Sequence, residues 1–210
     1  MVVADEHGRD EPCRPRGGTA GLGRRTLCVA LVGGIGLSLL PPAAAQDEKP
    51  GSEERPQPGD LFVFAEGDRE GETIAPGDVP EGGPQVPAWP MDPKTRVVRD
   101  GSRLNQVLLL RLDPGQLDED TRPRSAGGIL AYSAICAHAG CPVTGWVEAD
   151  DGGYVLKCFC HNSEYDPRQG ARVVFGPAPR HLAALPVNIV DGMLVAAGKF
   201  IGSVVPQQRG

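Results

Sequence analysis

The sequence predicts an all-β protein, and two observations support this class. Apolar residues occur in short runs bounded by turn-forming residues, and no apolar pattern keeps a helical period over ten or more residues. Glycine and proline are abundant, at 29 and 21 of 210 residues, which disfavours long helices. We therefore expect a compact antiparallel β domain over roughly residues 60–205.

Eight apolar runs are predicted to be strands. In chain order they are Leu61–Ala65, Arg96–Val98, Gln106–Leu112, Ile129–Ile135, Tyr154–Lys157, Arg172–Phe175, Leu182–Val190 and Met193–Ala197. The clearest hairpin signal is Asp191-Gly192 between the last two runs, because an Asp-Gly pair accepts the positive φ angles of a two-residue turn. Residues 66–93 contain six prolines and are predicted only as a surface loop or an extension of the domain.

Residues 1–45 are predicted to be a targeting segment. After Arg24-Arg25 the uncharged run Thr26–Leu40 is shorter than the about 20 residues that a membrane span needs, but long enough for a signal peptide. Ala43-Ala44-Ala45 offers a small-residue cleavage site. The segment resembles a twin-arginine export signal, with an ordinary secretory signal or a retained membrane anchor as alternatives. Each places the body of the chain at the periplasmic face of the cytoplasmic membrane, anchored or released, where disulfides persist.

Residues 46–59 are predicted to be a flexible linker. The stretch DEKPGSEERPQPG, which begins at Asp47, has no apolar periodicity. Its prolines and charges favour an extended, solvated chain.

Composition excludes some classes of function. A net charge of −6 and an aromatic content of 5% argue against nucleic-acid binding. The sequence also shows no catalytic triad, phosphate-binding loop or paired carboxylates, so no catalytic residues are predicted.

The chemistry of this sequence is concentrated in one short window of cysteines and histidines. These residues are Cys136, His138, Cys141, Cys158, Cys160 and His161. Several sites are compatible with them: a structural zinc site, two ordinary disulfides, an all-thiolate iron–sulfur cluster, or a cluster held by two cysteines and two histidines. The disulfide and all-thiolate alternatives leave both histidines unused.

The two boxes Cys136-Ala-His138-Ala-Gly-Cys141 and Cys158-Phe-Cys160-His161-Asn-Ser163 resemble those of Rieske iron–sulfur proteins. The resemblance implies a Rieske-type antiparallel β-sandwich with a cluster-binding subdomain over residues 60–205, and a [2Fe–2S] cofactor. It implies that Cys136 and Cys158 bind one iron, and that His138 and His161 bind the other. It also implies a disulfide between Cys141 and Cys160, a feature of the high-potential branch of the family.

Residues that follow the second box extend the resemblance. Ser163 and Tyr165 have the spacing of two family residues whose hydroxyls bond a bridging sulfide and a ligand sulfur, which implies a raised reduction potential. Gly176-Pro177-Ala178-Pro179 resembles the proline loop that covers the cluster in quinol-oxidising complexes. His181 has no role in that pattern and is predicted to be a surface histidine.

The implied ligand set determines the implied function. Two neutral imidazoles in place of two thiolates raise the reduction potential to roughly −150 to +300 mV, from about −400 mV for plant-type clusters. An imidazole N–H also allows a proton to accompany the electron. The resemblance to the Rieske subunit of quinol:cytochrome c reductase therefore implies transfer of one electron and one proton from membrane quinol. The acceptor would be a cytochrome c-type protein, and a cytochrome b-like membrane subunit is an expected neighbour.

A second function stays open from the sequence. The chain also resembles a Rieske small subunit or soluble carrier of a periplasmic oxidoreductase such as arsenite oxidase, with a catalytic subunit as its donor. Ala139 stands where quinol-oxidising subunits usually have a leucine that contacts the quinone pocket. Phe159 and Asn162 replace a usual proline and glycine, which changes loop stiffness but removes no ligand. In both functions the chain is an electron-transfer part of an oxidoreductase complex.

Overall fold

The computed structural model describes residues 49–206, so the predicted targeting segment and residues 46–48 and 207–210 lie outside it. The ten strands in this part of the chain are β1 (Leu61–Phe64), β2 (Val86–Met91), β3 (Val107–Arg111), β4 (Ile129–Ser133), β5 (Gly145–Glu148), β6 (Tyr154–Cys158), β7 (Ser163–Asp166), β8 (Arg172–Phe175), β9 (Val187–Val190) and β10 (Met193–Ala196). Short 3-10 helices span Pro76–Asp78, Arg103–Asn105, Pro114–Gln116, Arg122–Arg124 and Pro167–Gln169. Between residues 49 and 206 no helix is long and apolar enough to cross a membrane. The all-β prediction is confirmed.

Six strands form one antiparallel sheet in the order β4-β3-β2-β1-β10-β9. Phe62 of β1 belongs to the core cluster that this sheet builds. The sheet curls back on itself, because Ser133 N donates to Ala183 O at 2.8 Å and Leu185 N donates to Ala131 O at 2.9 Å. The residues just before β9 therefore close the sheet against β4.

The other four strands form a smaller antiparallel sheet in the order β5-β6-β7-β8. It is inserted in the sequence between β4 and β9. Leu156 and Tyr165 of this sheet share a buried cluster with Leu108, Leu130 and Tyr132 of the larger one. The smaller sheet corresponds to the predicted cluster-binding subdomain.

Seven of the eight predicted runs contain a strand. The prediction for Arg96–Val98 is wrong, since Val98 makes just an isolated bridge to Met91. Arg96 has a φ of 60°, in the left-handed region that an extended strand excludes. The run Leu182–Val190 is interrupted at Pro186, which has no N–H to donate, so the strand proper begins at Val187.

Three strands have no apolar run to mark them. β5 and β7 read GWVE and SEYD, which mix polar and apolar residues. β2 contains Pro87 and Pro90, and prolines argue against a strand assignment. In the structure Pro87 lies opposite Leu108 of β3 and Pro90 lies opposite Phe62 of β1. On its other side each proline only accepts: Pro87 O accepts from Ala65 N at 3.1 Å, and Pro90 O accepts from Arg99 N at 2.8 Å. Neither of these bonds needs an N–H from the proline.

The predicted hairpin at Asp191-Gly192 is confirmed. Val190 pairs with Met193, so the two residues between them form the whole turn. Their φ angles of 50° and 79° are the positive values that such a turn requires.

Residues 49–59 differ from the predicted solvated linker, because they pack onto the domain. Ser52 is 4% exposed, and its carbonyl accepts a hydrogen bond from Gly101 N at 3.1 Å. Arg55 Nη1 donates to Leu104 O at 3.1 Å. The folded domain therefore begins before the predicted boundary at Asp60.

A buried arginine explains why this charged segment docks. Arg99 donates to Asp60 through two nitrogens, with Nε–Oδ2 at 2.6 Å and Nη2–Oδ1 at 2.9 Å. Its third nitrogen donates to Glu54 Oε2 at 3.0 Å. Asn105 Nδ2 donates to Glu54 O at 2.8 Å. These partners lie about 40 to 50 residues away in the sequence, so local patterning does not reveal them.

Candidate metal centre

Three loops meet at one end of the smaller sheet. The first connects β4 to β5, the second connects β6 to β7, and the third follows β8. Glu164 pairs with Phe175, which places the start of β7 beside the end of β8. All the site residues predicted from the sequence lie in these loops or at the strand ends next to them.

The first loop, which carries the first box, turns tightly. Cys136 N donates to Cys141 O at 2.8 Å, and Gly140 N donates to Cys136 O at 3.0 Å. Gly140 has a φ of 74°, and a Cβ added to it would lie 2.5 Å from Pro206 Cγ. Both the conformation and the space therefore require glycine. The sequence prediction did not include Gly140 among the site residues, and its place inside the first box is the available signal.

The side chains predicted to bind iron differ in exposure. Cys136 and Cys158 are 2% and 1% exposed. His138 is half-buried and His161 is exposed. Their imidazole rings lie edge to face, with centroids 4.6 Å apart and an interplanar angle of 87°. Each of the two loops thus contributes one buried thiol and one histidine that is nearer to solvent.

The four cysteines of the boxes are free thiols in the structure. The Sγ atoms of Cys141, Cys158 and Cys160 lie within 4.8 Å of one another. Burial raises the pKa of Cys158 to about 12, and a hydrogen bond with Cys160 raises the pKa of Cys141. Metal binding requires thiolates, so a bound cation has to offset the cost of ionising Cys158. The Cys141–Cys160 disulfide stays a prediction.

Two buried hydroxyls reach into the same region. Tyr165 Oη lies 3.0 Å from Cys136 Sγ and accepts a hydrogen bond from Ala137 N at 3.3 Å, which leaves its proton available to the sulfur. Burial, together with the Cys136 thiol, raises the pKa of Tyr165 above its ordinary value. Ser163 Oγ accepts a hydrogen bond from Ala178 N at 3.2 Å. The serine therefore connects the second loop to the proline loop.

The proline loop Gly176–Pro179 packs against the end of the second box. A Cβ on Gly176 would lie 2.6 Å from both Asn162 O and Ser163 Cα, and its φ of 89° also favours glycine. Ala178 is buried, whereas Pro177 and Pro179 are exposed. His181, just beyond the loop, is exposed.

The loops also carry exposed apolar side chains. Phe159 and Phe175 are 58% and 60% exposed, and Ala139 is exposed beside His138 in the sequence. Next to Phe159, Lys157 Nζ donates to Glu164 Oε1 at 2.8 Å. We call Ala139, Phe159 and Phe175 the apolar rim.

Residues 95–186 match the family model of the Rieske [2Fe-2S] domain. The chain carries a Rieske domain. The Rieske iron–sulfur subunit of the cytochrome bc1 complex of Mycobacterium tuberculosis is 36% identical over 108 residues, covering 49% of this chain and 24% of that protein. A putative respiratory nitrate reductase subunit Rieske of Haloferax mediterranei is 45% identical over 80 residues, covering 38% of this chain and 34% of that protein. This chain therefore spans about a quarter to a third of the length of these two relatives.

Among solved structures, the soluble domain of Rieske protein II from Sulfolobus acidocaldarius is 25% identical. The match covers 49% of this chain and 67% of that chain, with a TM-score of 0.37.

A Rieske domain implies a [2Fe–2S] cluster, and the donors present here fit one. Such a cluster takes two thiolates on one iron and two imidazoles on the other. Two loops of this chain supply two buried thiols and two neighbouring histidine rings. The family match selects this cofactor over the zinc, disulfide and all-thiolate alternatives.

Proposed function

We propose that this protein transfers electrons through a Rieske cluster bound by Cys136 and Cys158 on one iron and by His138 and His161 on the other. The observation that carries the proposal is the pair of imidazole rings 4.6 Å apart, held by the same two loops as the buried thiols. When bound, such a cluster supplies a one-electron site at roughly −150 to +300 mV.

Different residues of the chain have different roles at that site. Burial of Cys136 and Cys158 keeps water from the sulfur side, while His161 lies exposed where a redox partner can approach. The Tyr165 hydroxyl donates toward Cys136 Sγ, and a donor at a ligand sulfur stabilises the more negative reduced state. The serine at 163 keeps a hydroxyl proton to donate after its oxygen has accepted from Ala178.

For the donor and acceptor we propose membrane quinol and a cytochrome c-type protein, beside a cytochrome b-like membrane subunit. The relative from Mycobacterium tuberculosis is named as a subunit of the cytochrome bc1 complex. An exposed histidine ligand that had lost its N–H proton in the oxidised state would regain it together with the electron, as quinol oxidation requires. The apolar rim suits contact with an apolar quinol or membrane subunit. Export to the periplasmic face of the cytoplasmic membrane is part of this proposal.

A second candidate is an electron-transfer subunit or soluble carrier of a periplasmic oxidoreductase, of the arsenite oxidase-like kind, with a catalytic subunit as donor. The Haloferax relative, whose name refers to a respiratory nitrate reductase, favours it. Ala139 also favours it, because the rim lacks the leucine expected beside His138 for contact with quinone.

The experiment that tests the proposal is a redox titration of the purified, cluster-loaded chain, followed by EPR and circular dichroism from pH 6 to 10. We expect a positive potential that falls as pH rises, because oxidation would release a proton from a histidine ligand. A strongly negative potential that does not change with pH would contradict quinol oxidation. Rapid reduction by a quinol analogue favours the first candidate, and co-purification with a large catalytic subunit favours the second.

Tyr165→Phe is expected to lower the reduction potential by about 40 mV. The hydroxyl bonds Cys136 Sγ at 3.0 Å, and a bond worth about 1 kcal/mol more in the reduced state corresponds to about that shift for one electron. Potentiometric titration at pH 7 measures it. Tyr154→Phe, at the exposed start of β6, is the matched control and should leave the potential unchanged. Equal potentials for Tyr165→Phe and wild type would remove Tyr165 from the tuning role.

Cys160→Ser is expected to leave iron bound but to loosen the two loops. If Cys160 forms the predicted disulfide with Cys141, the cross-link closes a loop of about 20 residues and contributes roughly 3 kcal/mol. The measurement is the temperature at which visible circular dichroism of the cluster is lost. In a Cys141→Ser background the same substitution should have no further effect. Full cluster stability in the single variant would contradict the disulfide.

A further inference from the structure

A cavity of about 400 Å³ lies apart from the predicted iron ligands. It is lined by residues 180–182 after the proline loop, by residues 169–172 at the start of β8, and by parts of 118–124 and 201–203. Its volume is in the range of small-molecule sites. None of the proposed roles in electron transfer uses it.

Part of the cavity lining is cationic. Its lining includes Arg124, Arg172 and Arg180, and none of these arginines has an ion-pair partner within residues 49–206. Arg180 Nη2 donates to Val205 O, while its Nε is buried and has no hydrogen-bond partner in the described chain. Guanidinium groups bind carboxylates and phosphates through paired N–H donors, so arginines without an ion-pair partner suit an anionic ligand.

The carboxylates of the lining offset only part of this positive charge. Asp118 and Asp120 are the acidic residues there. Asp118 Oδ1 accepts a hydrogen bond from Thr121 N at 2.7 Å, so it is engaged in its own turn. The three arginines outnumber the two carboxylates, and His181 also lines the cavity.

Another part of the lining is aliphatic. Leu182 and Ala184 are 3% and 5% exposed, and Ile201 is 45% exposed. Ala184 pairs with Ile201 through two backbone hydrogen bonds, which fixes these two residues side by side. A short hydrocarbon group in the cavity would cover part of Ile201.

We propose that this cavity binds a small organic anion, with its oxyanion head on Arg172 and Arg180 and a short hydrocarbon part against Leu182 and Ile201. The same chemistry occurs in a free carboxylate or phosphate ester and in an anionic lipid headgroup. Because Arg180 directly follows Pro179, a bound anion links the end of the proline loop to the start of β8. We therefore expect binding to slow hydrogen exchange at the backbone amides of Gly176, Ala178 and residues 180–182. The proposal does not depend on the identity of the electron donor.

The test is calorimetric titration of the full, cluster-loaded chain with hexanoate, hexyl phosphate, acetate and hexanol at ionic strength matched with chloride. Hexanoate or hexyl phosphate should bind saturably and raise the unfolding temperature with concentration. Acetate lacks the hydrocarbon part and hexanol lacks the charge, so each should bind at least about tenfold more weakly. Absence of saturable binding by both charged six-carbon probes would overturn the proposal.

Variants locate the site. Arg180→Gln should weaken binding about tenfold or more, as loss of a charged hydrogen bond predicts. Arg180→Gln also removes the contact to Val205, so a second variant is needed. Arg172→Gln serves this purpose, because the Arg172 side chain is exposed and makes no hydrogen bond in the described chain. Arg96→Gln, outside the cavity, should bind as wild type. Equal affinity in Arg172→Gln, Arg180→Gln and wild type would overturn the assignment.

The same assay distinguishes a free organic anion from a lipid headgroup as the source of the bound group. Vesicles containing phosphatidic acid that displace hexyl phosphate would identify a lipid headgroup as the ligand. Binding of hexyl phosphate that such vesicles do not affect would identify a free organic anion.

Discussion

Cys158→Ser is expected to yield a folded chain without a [2Fe–2S] cluster. Cys158 is 1% exposed at the end of β6, and the serine that replaces it would occupy the same buried position. A serine hydroxyl is a far weaker donor to iron than a thiolate. Iron content should fall from about two per chain toward zero, and the EPR signal of the reduced protein should disappear.

Two histidine variants complete this experiment. His161→Cys should abolish the cluster or convert it to one with a lower potential, because it replaces a neutral ligand by a thiolate. His181→Ala changes an exposed histidine outside the two boxes and should retain iron and the EPR signal. A normal cluster in Cys158→Ser would refute the ligand assignment.

Arg99→Met is expected to lower the free energy of unfolding by about 3–5 kcal/mol. Arg99 and Asp60 are 4% and 3% exposed and share two hydrogen bonds, so the substitution leaves a buried carboxylate without its counter-charge. Denaturant unfolding at pH 7 measures the loss.

The third partner of this arginine provides the control. Glu54 is 66% exposed, and Glu54→Gln should cost less than about 1 kcal/mol. The double variant Arg99→Met with Asp60→Asn should be more stable than the sum of the two single effects predicts, because it no longer buries an unpaired charge. A cost below about 1 kcal/mol for Arg99→Met alone would contradict the importance of the buried pair.

Local sequence patterns predicted the strands that lie in runs of apolar residues. β8 has the predicted bounds, and the Asp191-Gly192 hairpin forms as expected. β2 could not be predicted in this way, because the tolerance for Pro87 and Pro90 depends on which neighbour each one pairs with. Arg96 shows the opposite case, in which a left-handed residue begins a run that was predicted to be extended.

The cysteine and histidine boxes could be recognised in the sequence because the candidate metal ligands lie close together in two short segments. The contacts that hold the loops to one another could not be recognised in this way. Ser163 meets Ala178, and Gly176 meets Asn162, only after β7 and β8 pair with a register shift between Glu164 and Tyr165. The register of two paired strands cannot be inferred directly from a single sequence.

The docking of residues 49–59 makes a segment with the composition of a linker part of the folded domain. Eleven residues of free chain would extend over up to about 35 Å. Here that length is held on the domain surface by Ser52, Glu54 and Asp60. These eleven residues are therefore part of the domain surface and contribute no free length next to it.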